Sequence, residues 1–199
     1  MKNKLYIIGI CILVLIFAFM FFKRDTEKNT TMLNSIEYVN EKTNIAFQYD
    51  SRLQNKSISE NEIELSHSIE KENYGICNTM AGNTKVKNTV QDVYLGVKFL
   101  EKPIQEVISA EIKNNDSTNE IIGDKNVVVE WQGVEGCGVS VYFVPVDTKT
   151  AIIRYRDISA YEELRYKNNP AEVGLDVPFI SQSESKIIIE NVIKNLKIK

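Results

Sequence analysis

The run from Leu5 to Phe22, LYIIGICILVLIFAFMFF, constrains this chain most, because it contains no charged residue, no proline and only one glycine. As a helix, these 18 residues would extend about 27 Å, close to the roughly 30 Å hydrocarbon thickness of a bilayer. A soluble helix of this length would show a polar face, which the run lacks. The sequence therefore predicts a transmembrane helix at residues 5–22, preceded by a short tail at residues 1–4.

The residues that follow the run decide whether it is removed. Signal peptidase requires small residues at alternate positions just after the apolar stretch, but residues 19–24, FMFFKR, contain none. Ile10 precedes Cys11, so the small residue that a lipoprotein needs before its cysteine is also missing. We therefore predict an uncleaved signal anchor that holds the protein in the lipid bilayer.

Charge alone leaves both orientations of this anchor open. Lys2 and Lys4 lie on one side, and Lys23, Arg24 and Lys28 lie on the other. A long body behind a first apolar segment is commonly translocated, and its cysteines suit an oxidising compartment. We predict a cytoplasmic N-terminus and an extracytoplasmic C-terminal domain at the cell membrane.

The body behind the anchor is acidic. From Asp25 onwards the chain has 20 basic and 27 acidic side chains, a net charge of −7. Such a body gains nothing from counterion release at a phosphate backbone, so we expect no nucleic-acid partner. Residues 23–34 are polar and without periodicity, which is typical of a stalk. Residues 35–199 contain no proline- or glycine-rich break and are predicted to form a single domain.

Alternation of apolar and polar side chains predicts strands along most of this domain. The predicted strands are, in chain order, residues 36–39, 45–49, 58–65, 93–99, 127–132, 138–146 and 150–156. Helices are predicted after Pro103, where apolar residues recur at helical spacing, and after Ser181, where Ser-Gln-Ser-Glu matches a capping box. Short connections favour antiparallel pairing. The pattern predicts an α+β fold, with an antiparallel β-sheet flanked by helices in an α/β sandwich.

Several segments resemble one family. IEYVNEKTNIAFQYDSRL is similar to the start of PsbP-like domains, and VYLGVKFLEKPIQEVISAEI, VVVEWQGVEGCGVSVYFVPVDTKTAIIRYRD and SESKIIIENVIKNLKIK resemble their later parts. This family includes the extrinsic photosystem II subunit P and bacterial membrane-anchored relatives. Asp50 and Ser51 stand where many relatives have proline. The resemblance implies a binding or accessory module with no catalytic residues, and it does not imply a photosynthetic role.

Two of the three cysteines lie outside the predicted anchor. Cys77 and Cys137 both occupy turn-like contexts. Closing the loop of about 60 residues between them would stabilise the fold by roughly 4 kcal/mol on the chain-entropy model. We predict a disulfide between Cys77 and Cys137, and two separate buried thiols remain the alternative.

Motifs for catalysis and metal binding are lacking in the sequence. His67 is the only histidine, which excludes zinc sites built on several imidazoles, and we interpret it as a surface or half-buried residue at a strand end. Ser140 lacks the second glycine of a nucleophile elbow. We therefore predict no catalytic group, no metal and no cofactor.

Two clusters invite a ligand-binding interpretation. Glu60, Glu62 and Glu64 would share one face of a strand, but alternate residues lie about 6.6 to 6.8 Å apart, whereas calcium needs oxygens at about 2.3 to 2.6 Å from one ion. We interpret them as a solvated acidic face. The glycines of residues 133–138 are in the wrong order for a phosphate-binding loop and are interpreted as a turn between strands.

One segment combines aromatic and basic residues. Residues 155–170, YRDISAYEELRYKNNP, carry Tyr155, Tyr161, Arg165 and Tyr166, residue types that are enriched at interface anchors. A short helix that packs its tyrosines on the sheet is the alternative. The sequence thus predicts a membrane-anchored binding or accessory module that is not an enzyme and has a protein partner in the cell envelope. The alternative function is a cell-envelope enzyme whose chemistry uses carboxylates alone.

Overall fold

Most of the described chain is antiparallel β-sheet, as the alternation of apolar residues predicts. The structure is a computed structural model that describes residues 34–73, 86–112, 117–134, 137–158, 160–169 and 178–199. Residues from Asn34 to Lys199 form one compact unit. The predicted anchor at residues 5–22 lies outside the described residues. Within them, no helix combines the length and apolar character needed to cross a membrane.

A seven-stranded sheet forms the centre of this unit. Its strand order is β3-β4-β5-β9-β8-β7-β6, and each neighbouring pair is antiparallel. The strands are β3 (Gln54–Ser59), β4 (Glu62–Asn73), β5 (Val86–Leu100), β6 (Thr118–Ile122), β7 (Lys125–Val134), β8 (Cys137–Val146) and β9 (Lys149–Asp157). The short connections between consecutive strands account for the antiparallel pairing.

A second, three-stranded sheet is built on the predicted opening hairpin. It has the order β1-β2-β10, with β1 (Ser35–Val39), β2 (Ile45–Asp50) and β10 (Lys197–Ile198). Asn44 sits at the end of the turn between β1 and β2 with a φ of 54°, a conformation that asparagine tolerates better than most residues. The hairpin prediction is confirmed.

Three helices are described: α1 (Ile104–Glu111), α2 (Ala160–Asn168) and α3 (Gln182–Asn195). The predicted capping box at the start of α3 is confirmed, since the Ser181 side chain accepts from the Glu184 backbone and the Glu184 side chain accepts from the Ser181 backbone. The fold is therefore α+β and mostly antiparallel sheet.

Each face of the large sheet is partly covered by other elements of the fold. Its inner face packs against α3 and β2 through residues such as Leu65, Leu95 and Ile153. The outer face carries α1, whose Val107 packs against Phe143. The main hydrophobic core thus lies between the inner face, α3 and the small sheet, and it fixes which side chains meet around α3.

Two details of the sequence prediction are corrected. The expected strand at residues 58–65 spans the end of β3, a turn and the start of β4. In this turn the Ser59 hydroxyl donates to the Asn61 side chain at 3.0 Å, and the Asn61 amide donates to the Phe99 carbonyl of β5 at 3.1 Å. Strand β6 was not predicted, since TNEII has three polar residues followed by two isoleucines and therefore shows no alternation.

Candidate functional site

The predicted aromatic segment is largely turned inward. Tyr155 lies on β9 with 8% of its surface exposed, and Tyr166 lies on α2 with 2% exposed. Tyr166 meets Phe179 edge to face, with ring centroids 5.4 Å apart. An interface anchor must lie at the surface, so the expectation of exposed tyrosine anchors is corrected at these two positions. The side chains of Tyr161 and Arg165 lie outside the described residues.

Some of the other predicted sites lie among the described residues, and some lie outside them. Cys77 lies outside the described residues, and so does the side chain of Cys137, so the disulfide stays a prediction. Glu60 is exposed and pairs with Lys42 at 2.8 Å, as expected of a solvated acid. Within the described ranges, no group of three histidine, cysteine, aspartate or glutamate side chains could hold a metal ion.

The glycine-rich segment includes the end of β7 and the start of β8, and residues 135 and 136 between them lie outside the described residues. Gly133 lies opposite Gly138 at the end of this strand pair. The backbone of Gly138 is approached closely, since a Cβ atom there would lie 2.6 Å from the Gln132 carbonyl oxygen and 2.8 Å from the Trp131 ring. Glycine is therefore required at position 138 by this close approach.

A β-bulge between β4 and β5 creates a buried polar contact that the sequence analysis did not predict. His67 lies opposite Val93 and Ser68 lies opposite Gln91, so Asp92 is the extra residue of the bulge. Such an insertion re-aims a side chain relative to the regular alternation of a strand. It places Asp92 on the same side of the sheet as His67.

The Asp92 carboxylate is completely buried and holds three parts of the fold together. His67 Nδ1 lies 2.7 Å from one carboxylate oxygen and 2.9 Å from the other. The backbone N–H of Ile180, which precedes α3, donates to the same carboxylate at 2.7 Å. His67 lies within β4, not at a strand end, and its side chain is 17% exposed. We call this contact the His67–Asp92 clamp.

A second network lies where β9 meets α3. The Tyr155 hydroxyl donates to Asp157 at 2.8 Å and also bonds the hydroxyl of Ser185, which is fully buried. Burial raises the pKa of Asp157 above its ordinary value, although the Tyr155 hydroxyl acts in the opposite direction. Burial also raises the Tyr155 pKa. The pair is therefore a neutral donor next to a desolvated carboxyl group.

Asp157 has an acidic neighbour on α2. The charge of Glu163 contributes to the raised pKa of Asp157, and Gln182 joins the two groups, since its backbone donates to Glu163 at 2.8 Å and its side chain bonds Asp157. The pKa of Glu163 is lowered, first by its hydrogen bond from Lys167. Two neighbouring carboxyl groups therefore have pKa values shifted in opposite directions.

A third contact ties the small sheet to α3. Arg52 donates through two nitrogens to the two oxygens of Asp50, each at 3.0 Å, and through a third nitrogen to Glu184 at 3.4 Å. Burial acts against ionisation of Asp50, but the hydrogen bonds from Arg52 leave its pKa below the ordinary value. The start of α3 is thus held from two sides, by this arginine and by the His67–Asp92 clamp.

The inner face also carries an exposed aromatic surface near the β7–β8 hairpin. Trp131 is 51% exposed. At its position β7 pairs with β8 on one side, while on the other side the described pairing with β6 ends at Val129. Trp131 lies opposite Ser140, which lies opposite Tyr155 on β9. The indole ring rests against Gly138, where a Cβ atom would lie only 2.8 Å from it. Glycine at this position therefore lets the tryptophan lie close to the sheet.

Tyr142 continues this surface beside Trp131. It meets Tyr155 edge to face at 6.4 Å between ring centroids and is partly buried against the core. Burial raises the pKa of Tyr142 to about 12, and the charges of Glu120, Asp157 and Glu190 act in the same direction. Three acidic groups from β6, β9 and α3 thus act on one half-buried phenol. We call Trp131, Tyr142 and Glu120 the acidic aromatic surface.

Sequence reasoning had one usable signal for this surface. Trp131 is the only tryptophan, and it follows Val127 and Val129 in phase, which places all three on one face of a strand. An in-phase tryptophan is ordinarily interpreted as a core residue, so its exposure could not be derived. No known protein family, curated protein or solved structure matches the chain.

Proposed function

We propose that this chain is a single-pass, membrane-anchored binding or accessory module whose folded domain lies outside the cytoplasm. In this proposal residues 5–22 span the bilayer, residues 23–34 form a stalk, and the α+β domain contacts a protein partner in the cell envelope. The apolar run and the absence of a cleavage site behind it support the anchor. The chain is not proposed to be an enzyme.

The observation that carries the binding role is the half-exposed Trp131 on Gly138. A tryptophan that keeps 51% of its surface exposed gives up much of the hydrophobic stabilisation that its burial would provide. Tryptophan is also among the residue types enriched at binding hot spots. Its neighbour Tyr142, which is partly buried against the core, extends the aromatic area.

Capture of a partner tests the binding role. The wild-type chain and the Trp131→Ala variant are cross-linked in their native cells, and the captured proteins are compared by mass spectrometry. Leu164→Ala is the matched control, because Leu164 is 60% exposed on α2. A partner that is lost with Trp131→Ala and kept with Leu164→Ala supports the proposal. Identical capture by all three proteins contradicts it.

Topology has a separate test. The intact protein should fractionate with membranes, and protease added to cells whose outer layers have been opened should digest the domain. Protection of residues 25–199 in closed cells would reverse the orientation. Recovery of the protein in the soluble fraction would remove the anchor from the proposal.

The finer assignment of the fold is part of this proposal. We infer an α/β sandwich of the PsbP-like type, on the order of strands, helix, strands and helices and on the segments that resemble that family. An experimental structure of the domain decides this, because a different strand order from that of PsbP-like domains would exclude the assignment.

A second candidate function is a cell-envelope enzyme that uses carboxylates alone, and the pair of Asp157 and Glu163 favours it. The pKa of Asp157 is raised and that of Glu163 is lowered, so the first could act as a general acid and the second as a general base in one reaction. Release of soluble fragments from isolated cell envelopes by the wild-type chain, lost in Asp157→Asn and in Glu163→Gln, would support this function. Equal release by the wild type and both variants, or none by any of them, would exclude it.

A further inference from the structure

The outer face of the large sheet carries a polar area beside helix α1. Ile152 of β9 belongs to the apolar cluster under α1 on this face, and Arg154 follows it by two residues, so Arg154 lies on the same face. Gly96 of β5 lies opposite Arg154, and Glu64 of β4 lies opposite Gly96. Neighbouring strands are about 4.8 Å apart, so the backbones of Arg154 and Glu64 are roughly 10 Å apart across a position that has no side chain.

The Tyr94 side chain lies over this gap. Its hydroxyl oxygen lies 2.8 Å from the point that a Cβ atom of Gly96 would occupy. The guanidinium carbon of Arg156 lies 5.8 Å from the centroid of the Tyr94 ring, and this cation–π contact helps to hold the ring in place. Burial raises the pKa of Tyr94 above its ordinary value, so the phenol stays protonated. It forms no hydrogen bond with any described residue, and its proton is therefore available to a ligand.

The two acids in the same row as Arg154 are each bound by a glutamine. Gln91 donates to Glu64 at 3.1 Å. Gln132 donates at 2.7 Å to Glu130, which lies two strands from Arg154 on the other side. Among the described residues, the partly buried Arg154 side chain forms no hydrogen bond and no ion pair. Arginine is rarely buried without a partner, so the N–H donors of Arg154 are available to an added ligand.

A carboxylate is the ligand that suits these groups. The planar guanidinium of Arg154 binds a carboxylate through two parallel hydrogen bonds, and the Tyr94 hydroxyl, which lies over the glycine opposite Arg154, is a third donor. A phosphate group carries up to about two charges, and Glu62 and Glu64 on β4 would repel it more strongly than they repel a carboxylate. A carboxylate on a polypeptide suits a sheet face better than a small molecule, because small ligands bind where most of their surface is enclosed.

We propose that Arg154 and Tyr94, which flank Gly96 on the outer face of the large sheet, bind an aspartate or glutamate side chain of a partner polypeptide. Trp131 lies on the other face, so this inference goes beyond the proposed binding role and does not depend on it. Arg156 follows Arg154 by two residues on the same face and adds a second positive charge that is complementary to an acidic segment. The net charge of −7 beyond the anchor opposes an acidic partner, but at physiological salt this repulsion is screened beyond about 8 Å, so the nearby arginines dominate.

The test measures binding of a labelled peptide to the purified full-length chain in a non-ionic detergent at physiological salt. The probe is a fluorescein-labelled octapeptide of alternating serine and glutamate, and binding is followed by fluorescence anisotropy. The proposal expects saturable binding of this peptide. It expects no binding of the same peptide with glutamine in place of glutamate, because the amide lacks the charge and the second acceptor oxygen that the guanidinium binds.

Variants of the chain decide where the peptide binds. Arg154→Gln should raise the Kd at least about tenfold, since it removes charge-assisted hydrogen bonds to the carboxylate. Tyr94→Phe keeps the ring under Arg156 and loses only the hydroxyl, so it should raise the Kd about threefold. Lys186→Gln is the matched control and should leave the Kd unchanged, because it removes the same charge from an exposed position on α3, which packs on the inner face. Circular dichroism establishes that each variant is folded. Where Arg154→Gln is not, Arg154→Lys replaces it, because lysine keeps the charge and loses the two-point contact.

Several results would overturn the proposal. They are the absence of saturable binding, an equal effect of Arg154→Gln and Lys186→Gln, and tighter binding of the same peptide with phosphoserine in place of glutamate. Displacement of the peptide by an equal concentration of acetylglutamate amide would assign the site to small carboxylates and would also overturn it. Failure of this proposal leaves the capture experiment on Trp131→Ala unaffected, because Trp131 and Arg154 lie on opposite faces of the sheet.

Discussion

Replacing His67 by alanine tests the view that the His67–Asp92 clamp stabilises the domain. The Asp92 carboxylate has no exposed surface, and among the described residues two donors hold it, the imidazole Nδ1 of His67 and the Ile180 backbone. His67→Ala removes the first donor and leaves the carboxylate buried with the second. The cost should therefore greatly exceed that of losing an exposed hydrogen bond.

The structure sets the size of this effect. Removing one partner of a buried hydrogen bond destabilises by about 1 to 3 kcal/mol, because the group that remains is left unsatisfied away from water. A domain of this size loses about 2 to 4 °C in Tm for each kcal/mol, so His67→Ala should lower the Tm by about 2 to 12 °C. His67→Asn should lose less, because its side-chain amide keeps a donor near the carboxylate.

Thermal and urea unfolding, followed by far-UV circular dichroism, measure these changes. A double-mutant cycle completes the test, because His67→Ala combined with Asp92→Ala removes the buried group that the single change leaves unsatisfied. The double variant should therefore be less destabilised than the sum of the two single variants. A loss below about 1 kcal/mol in His67→Ala, the value of an ordinary hydrogen bond, would refute the reasoning.

Three further predictions concern other parts of the domain. The raised pKa of Asp157 means that its carboxyl group binds a proton more tightly in the folded state than in the unfolded chain. The wild type should therefore lose stability as pH rises from the unfolded pKa of 3.8 through the folded pKa. Urea unfolding should thus show Asp157→Asn gaining stability relative to wild type between pH 3 and pH 7. Tyr166→Ala should destabilise by about 3 to 5 kcal/mol, because it empties a buried ring site against Phe179, and a Tm within 2 °C of wild type would place that ring outside the core. Mass mapping without reductant should find Cys77 joined to Cys137, and two free thiols would exclude the bond.

The parts of the fold that the sequence predicts are those in which local pattern and tertiary contact agree. The β1–β2 hairpin and the capping box at Ser181 depend on residues that are close in sequence. The meander of β7, β8 and β9 follows from strict alternation and short turns. In these segments propensity, periodicity and turn chemistry all favour the same structure.

The candidate sites could not be predicted, because each depends on contacts between distant parts of the chain. Asp92 opens an alternating segment and is 25 residues from His67, and nothing in either segment indicates a bulge. Trp131 is exposed although it is in phase with the buried Val127, and its indole rests on Gly138 of the next strand, a contact between strands that the sequence does not specify. Tyr166 was open to both interpretations, since an amphipathic aromatic suits a core and an interface equally well.

Stability and recognition are carried by neighbouring but different groups in this domain. The His67–Asp92 clamp fixes the segment before α3, Ser185 of α3 bonds Tyr155, and Tyr155 packs on Tyr142 at the margin of the acidic aromatic surface. Every link of this series is buried or half-buried, so the series holds the aromatic surface in one arrangement without itself contacting a partner. Trp131 lies beyond its end and stays half exposed. Changes in the clamp should therefore act on the fraction of folded protein, whereas changes at Trp131 should act on the affinity of the protein that is folded.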